Sequence, residues 1–378
     1  MKILIIMSGF LPGKKFGGPP ISVDNFCSLM KEDECFIVTR NHDMGETETY
    51  KDIKAGWNDR GNCKVLYLSD KEYGYRKYEE VIKEINPDVI YLQGLFQNCI
   101  IPCLFLAKKH NIPVLLAPRG ELCAGAFKKK YKKVPYIIFL KMFGLLNKVH
   151  FQSTSEEETE AIMQHLGITE DRIHFLTNVP SIPKKEYPVP EKQPGVAKFV
   201  FISRIVRKKN LKAAISYFKN IDGDVTFDIY GPIEDKDYWQ ECQDEIKLLP
   251  SNIKVNYCGL VSHDQIHETF SRYHAFLFPT LSENFGHVIA EALSVGCPVI
   301  ISDQTPWNDV QYIDGGWSIP LDKIENFTSA IKDVLYIDFK TEIKYKKNMI
   351  EYVVSKTDLK KIKSLYVESF RETILEKQ

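Results

Sequence analysis

Phe278–Asp303 reads FPTLSENFGHVIAEALSVGCPVIISD. The apolar run from Ala275 to Pro279 predicts a buried strand, and the polar stretch Thr280 to Asn284 predicts a turn. After Phe285 and Gly286 the pattern predicts a helix from His287 to about Val295. Gly296 stops it, Pro298 follows, and Val299 to Ile301 make a second strand. The unit is strand–helix–strand, with its turn at the carboxyl end of the first strand. Open parallel sheets take their ligands at such turns.

Two carboxylates mark the unit, Glu283 in the turn and Glu291 eight positions later in the helix. Gly286 lets a ligand approach the backbone closely. The amides of His287 and Val288 open a helix, where an anion such as phosphate is favoured. Glu291 would reach past that anion to hydroxyls, as on a ribose, and Glu283 would face a sugar on the other side. Two glutamates at this spacing are also compatible with one exposed acid and one acid on a helix surface. Their context is more specific. A strand ending in Pro279, then Glu283, Phe285-Gly286, Glu291 and Gly296-Cys297-Pro298-Val299-Ile300, resembles the donor-site signature of family-four retaining glycosyltransferases (glycosyl transferases group 1). The resemblance implies an α/β chain of GT-B architecture, with two Rossmann-like parallel-sheet domains facing across a cleft.

A length of 378 residues suits two domains, and 44% hydrophobic with 26% charged residues suits two packed cores. Lys plus Arg and Asp plus Glu number 50 each, so no global field points to nucleic acid. Nine cysteines show no zinc-ligand spacing and read as reduced, buried thiols, Cys258 and Cys297 among them in apolar strands. The apolar run at Lys2 to Met7 is too short for a signal peptide and reads as a first strand. No stretch approaches the ~20 apolar residues of a membrane span.

Along the chain, strands are predicted at Lys2–Met7, Cys35–Thr39, Val65–Leu68, Val89–Leu92, Val114–Leu116, Val149–Ser153 and Ile173–Leu176. Gly17 and Gly18 fall between the first strand and a helix from about Ile21. Alone they suit either a structural turn or a phosphate loop; in the resembled family this loop faces the donor phosphates. Gln93 stands where many members of that family carry a histidine, so no catalytic base is assigned there. Arg119, after a strand, reads either as an acceptor-side residue or as a salt-bridge partner of Glu121. Ser155 and Glu158 form a capping box. No acid occurs from Leu122 to Ser155, whereas Lys128, Lys129, Lys130, Lys132 and Lys133 cluster around Phe127 and Tyr131. Pro135 is expected to open a mostly apolar helix. This stretch is either a solvated basic turn or a surface for anionic lipid, whose attachment salt would release.

Five prolines from Val179 to Gly195 mark a linker. The expected division is residues 1–178, acceptor domain; 179–196, linker; 197–356, nucleotide-sugar domain; and 357–378, a helix crossing back to the first domain. The second domain opens with a strand at Lys198–Ile202. Arg204 and Lys209 follow it, a fork and a point charge suited to a pyrophosphate. They resemble the family's Gly-Arg…Lys-Gly motif, although Ser203 replaces the glycine. Asp222-Gly223-Asp224 reads as a turn rather than a metal motif.

The resemblance implies catalytic roles for Glu283, Arg204 and Lys209. It implies a nucleotide-sugar site of Gly17, Gly18, Arg204, Lys209, Val261, Glu283, Asn284, Phe285, Gly286, His287, Val288 and Glu291, with Arg119 on the acceptor side. The expected activity is retaining, metal-independent transfer from a UDP- or GDP-type sugar, with no cofactor, to a glycan acceptor that is lipid-linked. The expected setting is bacterial surface polysaccharide synthesis, on the cytoplasmic face of the plasma membrane. A nucleotide-sugar epimerase and a non-catalytic sugar-nucleotide-binding protein are the alternatives.

Overall fold

The computed structural model describes residues 1–124, 126–127, 130–183 and 185–375. They form two compact units, Met1–Val179 with Leu359–Gln378, and Pro180–Asp358.

The first unit is built on eight strands: β1 Lys2–Ile6, β2 Glu34–Arg40, β3 Trp57–Asp59, β4 Lys64–Leu68, β5 Val89–Gln93, β6 Val114–Ala117, β7 Val149–Ser153 and β8 Ile173–Phe175. Their order is β3-β4-β2-β1-β5-β6-β7-β8, parallel throughout except for the antiparallel pair β3–β4. The near-continuous apolar strands follow from burial on both faces. Leu4 and Ile6 enter one core, while Ile3 and Ile5 enter the other. The second core includes the helix Leu359–Leu375, whose Tyr366 and Phe370 pack on Phe26 with ring centroids 5.1 and 5.9 Å away.

The second unit holds six parallel strands: β9 Val196–Ile202, β10 Asp224–Tyr230, β11 Ile253–Gly259, β12 Ala275–Phe278, β13 Val299–Ser302 and β14 Gly316–Ile319. Their order is β11-β10-β9-β12-β13-β14. Counted from its own first strand, this is the doubly wound order 3-2-1-4-5-6, which reverses between β9 and β12. The described residues among 180–195 form no helix or strand segment but pack on this unit. The Tyr187 carbonyl accepts from Lys346 Nζ, and the Leu335 carbonyl accepts from Gly195 N at 3.0 Å.

Several boundaries differ from the sequence expectation. The first helix begins at Gly18 rather than Ile21, because two prolines fit a first helical turn, where no intrahelical N–H partner is needed. The helix expected to open at Pro135 runs Lys130–Met142 with Pro135 inside. Lys128 and Lys129 lie outside the described residues. Glu158 receives the Ser155 cap, but its own carboxylate bonds to Thr154 N (2.9 Å) and Gly120 N (2.6 Å), tying the helix to a neighbouring loop. Helices Lys236–Ile246 and Phe339–Lys356 and the edge strand β3 were not expected. The helices are polar enough to hide their narrow apolar faces, and three residues carry no legible alternation. All nine cysteines are free, but Cys123 is only partly buried and Cys258 is exposed, the latter because β11 is an edge strand with mostly open side chains.

Gly231, just after β10, lies between the ends of β9 and β11. Its N–H donates to Gly259 O at 2.8 Å, its φ is 139°, and an added Cβ would lie 1.9 Å from Ser203 O. Gly259 also has positive φ, 78°, but open space around a Cβ. Gly231→Ala is therefore expected to cost roughly 2–4 kcal/mol in urea unfolding, and Gly259→Ala only about 1 kcal/mol. Equal losses would show that conformation alone, not close approach, selects glycine at Gly231.

Candidate functional site

At the reversal between β9 and β12, the two strands end in loops bound to each other. The turn at 279–284 is stitched to the basic loop after β9. Leu281 N donates to Lys208 O at 2.9 Å, Thr280 Oγ1 to Lys208 O at 3.2 Å, and Asn210 Nδ2 to Pro279 O at 3.0 Å. From behind, Ser302 Oγ at the end of β13 donates to Thr280 O at 2.5 Å, and Glu283 N donates to Gln304 O at 3.0 Å. Asn210 takes positive φ, 58°, where asparagine is among the tolerated residues. The stitching residues Asn210, Thr280 and Ser302 were missed from the sequence. They are small polar residues whose spacing carries no motif.

Two of the expected side chains meet directly. Lys209 Nζ donates to Glu283 Oε1, with the side chains only 10% and 14% exposed. Burial pushes the Lys209 ammonium below its usual range, and the Glu283 charge opposes that shift. Lys209 Nζ also stands 5.5 Å from the centroid of the Phe278 ring, an aromatic floor beneath the cation. Arg204 turns elsewhere, bonding Glu234 at 3.0 Å with its side chain 44% exposed. In this structure Arg204 and Lys209 are thus held by different acids.

The helix His287–Ser294 is preceded by Gly286, in the left-handed region at φ 76°. The Gly286 carbonyl accepts from Ile289 N at 2.9 Å and Ala290 N at 3.3 Å. Trp307 Nε1 donates to Phe285 O at 2.6 Å and fixes the loop entering the helix. Glu291, the fifth residue of this helix, is 1% exposed. Its Oε1 accepts no hydrogen bond, and the imidazole Nδ1 of His263 lies 3.6 Å from it. Burial alone pushes the Glu291 carboxyl up to about 8. His263 lies two residues beyond Val261 in the loop after β11, so that loop and the helix converge on the carboxyl. No sequence motif pointed to His263.

Gly17, Gly18 and Arg119 belong to the first unit. Gly17, at φ 71°, precedes the first helix, which Gly18 opens. Arg119 donates to Gln93 Oε1 at 2.9 Å, to Asn178 Oδ1, and more weakly to Ser22 Oγ at 3.3 Å. It does not pair with Glu121, whose carboxylate instead accepts from Leu95 N and Phe96 N at 2.6 and 3.1 Å. Arg119 therefore braces the end of β5 through Gln93. Among the described residues, no group of three or more His, Cys, Asp or Glu is placed to hold a metal ion. Asp222 accepts from Tyr336 OH at 3.2 Å.

Residues 183–353, nearly the whole second unit, match the family described as glycosyl transferases group 1. The second unit is a glycosyl transferases group 1 domain. A 118-residue stretch is 28% identical to the UDP-N-acetylglucosamine–peptide N-acetylglucosaminyltransferase GtfA subunit of Streptococcus pneumoniae, covering 30% of this chain and 22% of that protein. A 98-residue stretch is 29% identical to the O-antigen chain mannosyltransferase RfbU of Salmonella typhimurium, covering 26% of this chain and 28% of that protein. The matched stretches thus span only about a quarter of these relatives' length. Anabaena Alr3699/HepE, solved in complex with UDP-glucose, superposes with a TM-score of 0.71 over 98% of this chain and 99% of its own, at 14% identity. The fold is GT-B, with a parallel α/β sheet in each unit.

In the group 1 domain, the Glu291 carboxyl sets a pH dependence. Its folded pKa of about 8 lies above the ordinary 4.5, so between those values the folded protein holds a proton that the unfolded chain has lost. Its contribution to stability is full below pH 4.5 and falls as pH rises through 8. Glu291→Gln keeps the shape and cannot ionise. Its melting temperature relative to wild type is expected to be higher at pH 8.5 than at pH 5. A difference that does not change with pH would mean that Glu291 is not desolvated.

Proposed function

We propose that this protein is a retaining glycosyltransferase that takes a sugar from a nucleotide-sugar donor, of UDP or GDP type, and delivers it to a glycan acceptor. The observation that carries the reading is Glu291. It is a desolvated carboxyl at the sheet's switch point, with an oxygen that accepts no hydrogen bond. A burial this unfavourable is expected where a ligand supplies the missing donors, and the two hydroxyls of a ribose are suitable donors. The family match over residues 183–353 and the UDP-glucose held by HepE support the same donor class.

In this reading the diphosphate lies between the start of the helix at His287 and the basic loop, where Lys209 and Arg204 offset the charge that builds on it. Glu283 orients the donor sugar through its hydroxyls. The acceptor oxygen bonds to the anomeric carbon on the face from which the diphosphate departs. The acceptor proton passes to the departing phosphate oxygen, so no side-chain base is required. With two cationic side chains and a helix start available, the diphosphate needs no metal ion. The acceptor is taken to be lipid-linked and the protein to work at the cytoplasmic leaflet in surface polysaccharide synthesis, in keeping with the similarity to RfbU, an O-antigen chain mannosyltransferase.

Two measurements test the division of labour. In calorimetric titrations with nucleoside diphosphate at about pH 9, where the Glu291 carboxyl is ionised, Glu291→Ala is expected to lose roughly 1.5–3 kcal/mol of binding, the scale of a hydrogen bond to a charged group. Glu283→Ala is expected to keep diphosphate affinity while transfer falls, because the sugar, not the diphosphate, is its partner. Equal loss of diphosphate affinity in both variants would overturn the assignment. Transfer is also expected to persist in excess chelator. A strict requirement for magnesium or manganese, restored on adding it back, would move the charge compensation to a metal.

A further inference from the structure

The helix Lys130–Met142 in the first unit carries two faces of different character. Inward, Ile137 and Leu140 are buried, and Tyr136 OH donates to Leu95 O at 2.8 Å. Outward, Tyr131 is 73% exposed, Val134 41%, Ile138 56% and Met142 71%. At 100° per residue these four fall within an arc of about 80°, so they form one apolar stripe along the open side. Lys130 and Lys141 project along one border of the stripe and Lys132 along the other, and all three are exposed. Lys133 is different. Its Nζ donates to Glu121 O at 2.8 Å and Ala126 O at 3.0 Å, beneath the helix. The basic cluster of the sequence is therefore not a uniform lysine patch. Its described part is an apolar seam edged with cations.

We propose that this helix lies flat in an anionic bilayer surface, with Tyr131, Val134, Ile138 and Met142 inserted among the acyl chains and Lys130, Lys132 and Lys141 at the headgroups. The proposal rests on the lipid-linked half of the functional reading and makes it specific. Thirteen residues give a helix about 20 Å long, too short to cross a ~30 Å hydrocarbon core, and no described helix is long and apolar enough to do so. An amphipathic helix with cationic borders and an apolar stripe suits the interface instead. The charges also argue against the obvious protein occupant. A second copy docked stripe to stripe about a twofold axis would bring like lysine borders together. A phosphate-rich lipid surface meets those borders with opposite charge, and the sequence has no acid from Leu122 to Ser155 to repel it.

Insertion changes the expected response to salt. Attachment by lysines alone is screened away as the Debye length falls to about 3 Å at 1 M salt, whereas buried apolar surface is not. The test is flotation of the full chain with phosphatidylcholine–phosphatidylglycerol vesicles at 0.05 and 1 M NaCl, with nucleotide-induced thermal stabilisation measured on the same samples. Wild type is expected to float at low salt and to retain a measurable bound fraction at 1 M. I138S/M142S is expected to lower the partition coefficient roughly tenfold per side chain at both salts. K130Q/K132Q/K141Q is expected to lower it only at low salt. Both variants are expected to keep the wild-type stabilisation by nucleotide.

Failure of the wild type to float at low salt would overturn the proposal, as would flotation of I138S/M142S like wild type. Light scattering that shows a wild-type dimer converted to monomer by I138S/M142S would assign the stripe to a second copy instead. Flotation without any nucleotide stabilisation would leave the docking face standing and sink the donor reading.

Discussion

Only two registered pairs join β9 to β12, Phe199 with Ala275 and Val200 with Phe276. Both strands run on beyond them, to Ile202 and Phe278. The neighbours on the other sides are longer: β9 pairs with β10 over seven positions and β12 with β13 over three. The reversal of strand order and the short shared ladder have one consequence. The chains leaving β9 and β12 are not covered by a crossover helix between them. Phe201 and Phe278 fill the gap at the level of the sheet, with ring centroids 5.7 Å apart. Above them the loops must be closed by side-chain and carbonyl bonds, and Asn210, Thr280 and Ser302 supply these. The basic loop and the acidic turn are thus brought together by topology first and by local hydrogen bonds second.

This arrangement explains why the strand pattern was readable and the site's wiring was not. Parallel strands buried on both faces are dense apolar runs, and each one expected from such a run was found with its ends within one residue, except β9, which begins two residues earlier. The glycine at Gly286 and the helix after it were legible because a positive φ and a helix start have residue preferences of their own. Arg119 was not legible. The salt-bridge reading assumed Glu121 as its partner, whereas neutral Gln93 and Asn178 take its donors. His263 was missed for a related reason. Its relation to Glu291 is made by the convergence of a loop and a helix, and no spacing in the chain records it. The polar helices Lys236–Ile246 and Phe339–Lys356 show the same limit from another side, since a helix that buries few residues leaves little periodicity to read.

Glu291 violates a folding rule that most of the chain obeys. A carboxyl with almost no exposure and an oxygen that accepts no hydrogen bond opposes folding through lost hydration. The cores around it are ordinary in composition, so nothing in their packing requires an acid at this position; glutamine or methionine would fill a similar volume. Conflicts of this kind between local chemistry and stability concentrate where a ligand completes the environment.

The ion pair of Lys209 and Glu283 extends the argument to both charges. A desolvated pair contributes little net stability, because removal from water offsets most of its attraction. Its significance lies in what would replace it. In the proposed reading a donor brings two negative phosphates toward Lys209 and neutral hydroxyls toward Glu283. The lysine exchanges one anion for a stronger one, and the glutamate exchanges a cation for hydrogen-bond donors. Neither charge is stranded at any stage, since each leaves its partner only as the ligand supplies another. The carboxylate released in this way is already anchored through its own backbone, by Glu283 N to Gln304 O. The chain can therefore keep both groups charged and placed before the donor arrives, without leaving either one buried and unpaired.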